Sequence, residues 1–173
     1  MRILGIDPGL TATGYGLVET RSQTESSDVL IETGTINPPP RRPLAQRLQK
    51  VYRHLDDVVR EHEPEVMVLE KLYSHYRHPT TACLLGHVRG VIILVGEHRR
   101  LKVVEHSPKR IRKSLTGNGN ASKEQVRDFV AHYFQLKASQ LTLDASDAIA
   151  LALGFTMMEN GLRCPSQRER VRL

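Results

Sequence analysis

The sequence predicts an α/β domain built on a mixed five-stranded sheet, and three observations predict it. Apolar runs of strand character stand at residues 2–7, 11–19 and 28–36 with turn signals between them; a helix-periodic segment follows; two more buried-strand runs, 65–70 and 102–105, each come after a long helical stretch. Strands joined by short turns make an antiparallel meander, whereas strands separated by helices extend it in parallel through crossovers.

Each element has its own signal. Ile3-Leu4-Gly5-Ile6 reads as a buried strand, and Pro8-Gly9 turns the chain into Thr11 to Glu19. A third strand, Asp28 to Ile36, stops at Pro38-Pro39-Pro40. Leu44, Leu48, Val51, Leu55, Val58 and Val59 then recur at helical spacing, so an amphipathic helix runs to near Pro64. Glu65 to Glu70 is expected as a buried strand, His78 to Arg99 as a helix and Lys102 to Glu105 as a short strand. After the turn Thr116-Gly117-Asn118-Gly119-Asn120, Ser122 and Gln125 form a capping-box pair that starts a helix ending near Phe134. The last helix spans about Leu143 to Glu159. Residues 1–160 are expected to be one domain, and 161–173, with Arg163, Arg168, Arg170 and Arg172, a disordered or interaction tail.

Composition narrows the class. With 173 residues, 39% of them apolar, there is material for one core. No apolar run of about 18 residues is evident, and MRILGIDPG lacks the order of a signal peptide, so a cytoplasmic protein without a membrane span is expected. Cys83 and Cys164, 81 residues apart, support neither a zinc knuckle nor a disulfide framework. The net charge of +6 is uneven: Arg99, Arg100, Lys102, Lys109, Arg110, Arg112 and Lys113 are set against Glu105 alone. Such a stretch can hold a polyanion, or can equally be a solvated basic face.

Four carboxylates suggest chemistry. Asp7 follows an apolar strand and precedes Pro8-Gly9, and Glu70 ends Val66-Met67-Val68-Leu69. A carboxylate next to buried strand carries a desolvation cost unless a cation or donor meets it, and strand ends in an α/β sheet are where ligand crevices form. Asp144 and Asp147, three apart on a helix, lie about 5–6 Å apart at Cβ, and no Lys or Arg falls within Gln140 to Glu159 to neutralise them. Each has a plain structural account too: a turn-forming Asp, an edge acid, and helix N-terminal acids favoured by the macrodipole. Oxygen-only ligands point to Mg²⁺ or Mn²⁺ rather than zinc, and four carboxylates suit a two-ion site for in-line displacement at phosphorus.

Taken together, GIDPGLTATGYG, VLEKLY, TGNGNASKEQV and LDASDAIALA resemble the RuvC family of Holliday-junction resolvases, of the ribonuclease-H-like superfamily. The likeness runs in order from residue 1 to about 160. It implies that Asp7, Glu70, Asp144 and Asp147 hold the metal ions, where some relatives carry His at the last position. It further implies a homodimer that binds a four-way DNA junction, cuts two strands of like polarity, and works with a branch-migration helicase complex of the RuvAB kind. Tyr73, where Phe is common, would stack at the junction centre. Lys123 and Arg112, the latter where Lys is common, would meet phosphate. Lys109, Arg110 and Lys113 would add DNA affinity, and the helix around Leu84 to Leu94 is the candidate dimer interface.

Three rivals remain. An RNA-processing nuclease of the same fold should lack the combined Gly-Asn-Gly-Asn-Ala-Ser-Lys turn and post-Glu aromatic. Actin-like ATPases and sugar kinases share a hairpin like Gly5-Ile6-Asp7-Pro8-Gly9 but need two such domains, for which 173 residues is too short. A junction-binding protein without catalysis predicts binding with no metal-dependent cutting.

Overall fold

A computed structural model describes residues 1–20, 28–71 and 79–159. Five strands form one sheet: β1 (Arg2–Asp7), β2 (Thr13–Glu19), β3 (Val29–Ile36), β4 (Val66–Glu70) and β5 (Lys102–His106). Their order is β3-β2-β1-β4-β5. β1, β2 and β3 pair antiparallel, while β4 and β5 add in parallel. The expected meander with parallel extensions is therefore present.

Alternation along the strands sorts the apolar residues between two cores. Leu4, Ile6, Tyr15, Leu17, Met67 and Leu69 face α1 (Leu44–His62) and α2 (Pro79–His98). Ile3, Val18, Val66 and Val68 face the opposite layer. That layer holds α3 (Pro108–Thr116), α4 (Lys123–Tyr133) and α5 (Leu143–Glu159). A sheet covered on both faces must be apolar on both, which is why its strands read as continuous rather than alternating runs.

Local signals account for most boundaries. α1 ends where Glu63 takes a left-handed conformation before Pro64. The capping box of α4 is complete, with the Gln125 amide donating to Ser122 Oγ at 3.2 Å and the Ser122 amide donating to Gln125 Oε1 at 2.9 Å. The short helix α3 was not expected from the sequence. It has few apolar residues, with only Ile111 and Leu115 buried, so its periodicity is weak. Its ends were legible nonetheless: Ser107 accepts from the Arg110 amide, Pro108 opens the first turn, and Gly117 closes it at φ 76°.

α2 corrects another expectation. Thr80–His98 is long and apolar enough to cross a membrane by length and composition, with a mean hydropathy of 1.3. In the fold its Val88, Ile92 and Val95 are packed into the core beneath the sheet, and Arg89 at its centre is paired to Glu105 of β5. Tyr73, Cys164 and residues 161–173 lie outside the described residues.

Candidate active site

Strand pairing and alternation bring the two strand-end acids together. Ile6 pairs with Leu69, so Asp7 and Glu70 follow on adjacent parallel strands, about 4.8 Å apart in the sheet. Both continue the side-chain register of Ile3, Val66 and Val68, which faces the α5 layer.

Small residues then let α5 approach. A Cβ on Gly5 would stand 2.0 Å from the Ala148 carbonyl oxygen, and one on Gly14 would stand 2.0 Å from that of Asp144. Gly14 is the register partner of Asp7. The first turn of α5 therefore rests on the backbone beside Asp7, and Asp144 and Asp147 are delivered to the same end of the sheet. From Ala145 to Met157 every residue of α5 is buried, so the helix has no freedom to rotate its acids away.

Electrostatics shows the convergence. The Asp7 carboxyl is pushed up to about 7, first by burial and then by the charges of Glu70, Asp147 and Asp144, with Lys123 opposing them. Glu70 is also raised, by burial and then Asp147, against the nearby cations Lys123, Arg112 and Arg89. Lys123, in the first turn of α4, donates its ammonium to Asp147 Oδ2. Burial works against that ammonium, but the bond to Asp147 and the charges of Asp147, Asp7 and Asp144 hold its pKa above the usual lysine value. Asp147 is 8% exposed, so Lys123 meets a carboxylate largely withdrawn from water.

Among the described residues, no three acids or histidines already close on one point as a metal cage. The four carboxylates are nevertheless close enough that Glu70, Asp147 and Asp144 each raise the Asp7 carboxyl. Hard oxygen donors whose mutual repulsion raises a pKa gain most from a divalent cation, and Mg²⁺ or Mn²⁺ typically takes one or two carboxylates while completing its shell with water and phosphate. The donor set fits such ions.

The basic stretch divides in two. Arg99 is bound to Asp56 through two hydrogen bonds of 2.6 and 2.7 Å, and with Arg100 and Lys102 it lies where β5 begins, at the end of the sheet away from Glu70. β5 carries the chain across, and Lys109, Arg110, Arg112 and Lys113 emerge on α3 at the carboxylate end. The basic residues of the stretch from Arg99 to Lys113 therefore lie at opposite ends of the sheet. Lys109, Arg110 and Lys113 are exposed, whereas Arg112 is half-buried and lies near enough to Glu70 to lower its pKa.

One nearby residue escaped the sequence reading. Arg89 of α2, 5% exposed, donates through Nη1 to the backbone carbonyl of Glu70 and through Nη2 to Glu105 Oε1. Its signal was present as a lone cation in the apolar run Val88 to Val95.

Comparison with known proteins shows the family and the fold. Residues 3–155 match the family model described as crossover junction endodeoxyribonuclease RuvC. The crossover junction endodeoxyribonuclease RuvC of Rhodopirellula baltica is 38% identical over 151 residues, covering 87% of this chain and 83% of its own. That of Bordetella avium is 40% identical over 153 residues, covering 88% and 82%. The Thermus thermophilus RuvC structure superposes with a TM-score of 0.83 at 25% identity, covering 93% of this chain and 96% of that one. The same Thermus protein in complex with Holliday junction substrate gives a TM-score of 0.82 at 22% identity, again over 93% and 96%. With a family match over nearly the whole described sheet and helices, and relatives above one-third identity, this chain belongs to the RuvC family of crossover junction endodeoxyribonucleases.

Proposed function

We propose that this protein is a metal-dependent endonuclease that binds four-way DNA junctions as a dimer and resolves them by hydrolysing two strands of like polarity. The observation that carries the reading is the shared anionic site of Asp7, Glu70, Asp144 and Asp147, in which burial and then the charges of the other three raise the Asp7 carboxyl to about 7. The family match supplies the substrate class. Residues 1–160 make up the nuclease domain in this reading, and the cytoplasm, where recombining DNA lies, is its setting.

Asp7, Glu70, Asp144 and Asp147 would hold two Mg²⁺ ions, with Mn²⁺ as a substitute. Bound there, divalent ions polarise the scissile phosphate and make water a stronger nucleophile. The chain itself supplies placement and countercharge. Lys123 keeps its proton because three carboxylates favour the ammonium, so it acts as a cation toward phosphate rather than as a base. Its hydrogen bond to Asp147 parks it beside the reacting position until a phosphate competes for it. Arg112 adds charge from the Glu70 side and, as a guanidinium, cannot relay a proton. Tyr73 is assigned the stacking role at the junction centre by the family motif alone.

The reading is tested by incubating the purified protein with a mobile four-way junction and with linear duplex of the same sequence. Paired nicks in the junction that need Mg²⁺ or Mn²⁺ and stop with chelator are expected; tight junction binding without cutting would leave the non-catalytic rival standing. Lys109, Arg110 and Lys113 present an exposed basic face on α3. Replacing all three by Ala is expected to reduce the slope of log binding constant against log salt by about 2 to 3, measured by anisotropy between 50 and 200 mM salt, and an unchanged slope removes α3 from the DNA surface.

A second copy of this chain fits the outer face of α2. Gly86, Gly90 and Leu94 fall at four-residue steps on one side; the two glycines face open space, Leu94 is 46% exposed and Ile93 40%. An isologous contact would bury this apolar stripe and set two active sites for two equivalent strands. Leu94→Glu is expected to convert the dimer to a monomer in analytical ultracentrifugation and to cost paired nicking. A variant that stays dimeric places the interface elsewhere. A branch-migration helicase complex of the RuvAB kind is the partner that would deliver junctions.

A further inference from the structure

We propose that Arg89 is a positioning residue for Glu70, tying the end of β4 from below the sheet so that the Glu70 carboxyl stays aimed at the metal-holding site above it. The inference rests on the reading of Glu70 as a metal ligand.

The geometry is specific. β4 ends at Glu70, where the ladder to β5 reaches its last pair, Glu70 with His106. Beyond that pair the Lys71 amide bonds to the His106 carbonyl at 2.8 Å, and it is the last backbone bond between these two strands among the described residues. A strand terminus is where backbone position is least determined by pairing, and here it carries a functional carboxyl. Arg89 supplies the missing restraint: one guanidinium nitrogen holds the Glu70 carbonyl and another holds Glu105, on the neighbouring strand. Glu105 and Val103 share the side of β5 that faces α2, while the Glu70 side chain continues the register facing α5. Arg89 thus grips the backbone of Glu70 from the face opposite its carboxyl.

The charges explain two sequence oddities. A cation in the middle of the apolar run Val88 to Val95 is costly to bury unless paired. Glu105 is the lone acid among the seven cations between Arg99 and Lys113, and it is that partner. Arg is suited to the task because its planar fork reaches two acceptors on different strands at once, whereas a lysine ammonium of similar reach is a point charge. Residues that orient a metal-binding carboxylate from outside its coordination shell typically change metal affinity or activity by about 10- to 100-fold when replaced.

The test compares wild type, Arg89→Lys and Glu105→Gln as full-length chains. Glu105 is 40% exposed at its side chain, so its amide replacement should fold even if the lysine variant does not. Three quantities are measured: direct Mn²⁺ binding by electron paramagnetic resonance without DNA, junction affinity by gel shift in Ca²⁺, and the single-turnover cutting rate at saturating junction. Arg89→Lys is expected to weaken Mn²⁺ binding and slow cutting by about 10-fold or more, and Glu105→Gln by a smaller factor, with junction affinity within twofold of wild type and cutting partly restored by raised Mn²⁺. Wild-type Mn²⁺ affinity and rate in a folded Glu105→Gln, or losses that follow junction affinity while Mn²⁺ binding is unchanged, overturn the proposal. Failure of the wild type itself to bind Mn²⁺ or cut would instead indict the reading of the site.

Discussion

Asp7→Asn is expected to lower junction cutting by about 10³-fold or more while leaving junction binding within a few-fold of wild type. The amide keeps the size of the carboxyl and removes one hard, anionic donor from the centre of the group, the one whose pKa all three other acids raise. DNA affinity, by contrast, is assigned to cations on α3 and to Lys123, which loses one neighbouring anion but keeps its carboxylate partner Asp147. Gel electrophoresis of nicked products and a parallel binding titration separate the two effects. Cutting by the variant at a tenth of the wild-type rate or better would remove Asp7 from the chemistry.

The same substitution should stabilise the metal-free protein, with a defined pH signature. An unfolded Asp titrates near 3.8, but in the fold this carboxyl is raised to about 7 by burial and by Glu70, Asp147 and Asp144. The folded state therefore binds a proton more readily than the unfolded state, and stability falls as pH rises through that window. The penalty is absent below the unfolded value and complete above the folded one. Asn does not ionise, so Asp7→Asn is expected to match wild type near pH 4 and to exceed it near pH 8 by roughly 2–4 kcal/mol, several degrees in Tm. Saturating Mn²⁺ should narrow or reverse the gap, because binding to the native state alone stabilises wild type. A wild-type Tm in chelator that is flat or rising between pH 4 and 8, set against the variant, would contradict the repulsion inferred for this site.

Gly5→Ala and Gly14→Ala carry the other large effects, of different kinds. A Cβ on Gly5 meets the Ala148 carbonyl oxygen at 2.0 Å and the Ala152 nitrogen at 2.8 Å, both backbone atoms of a buried helix at the centre of the domain. Neither can swing aside as a side chain would, so α5 must lift from β1 and open the core on that face. We expect a loss of about 3 kcal/mol or more, read as a lower denaturation midpoint or as failure to accumulate folded protein. Gly14 lies at the rim, and its Cβ would meet the Asp144 carbonyl oxygen at 2.0 Å. Relief there needs only the first turn of α5 to shift. The expected cost is smaller in stability, about 1–3 kcal/mol, but of the order of 10²-fold in cutting, since Asp144 moves relative to Asp7. A folded Gly14→Ala that cuts like wild type would mean that α5 does not set the geometry of the site.

Much of this was readable along the chain because the determinants are local. Apolar runs, the Pro8-Gly9 turn, the triple proline and the Ser122–Gln125 box act within a few residues of themselves, and the strands and helices they mark lie within a residue or two of the expected limits. α3 was the exception: nine residues with two buried apolar side chains leave almost no periodicity, and only its caps announce it. Charge was legible as composition but not as surface. Arg99 and Lys113 are fourteen positions apart in one basic stretch, yet a strand between them carries the chain across the sheet, so they serve opposite ends of the molecule.

The sequence by itself determined all five strands and most of the helices, the family motifs and the identity of the four acids, since each depends on residue type and short-range spacing. The tertiary structure decided what those acids do to one another. Parallel pairing of Ile6 with Leu69 brings Asp7 beside Glu70, and the bare backbones of Gly5 and Gly14 let α5 settle close enough to add Asp144 and Asp147. It also revealed Arg89 reaching from the other face to Glu70 and Glu105, residues 19 and 16 positions away. These are contacts between chain segments far apart in sequence. Their energies depend on distance and burial, which exist only once the chain has folded.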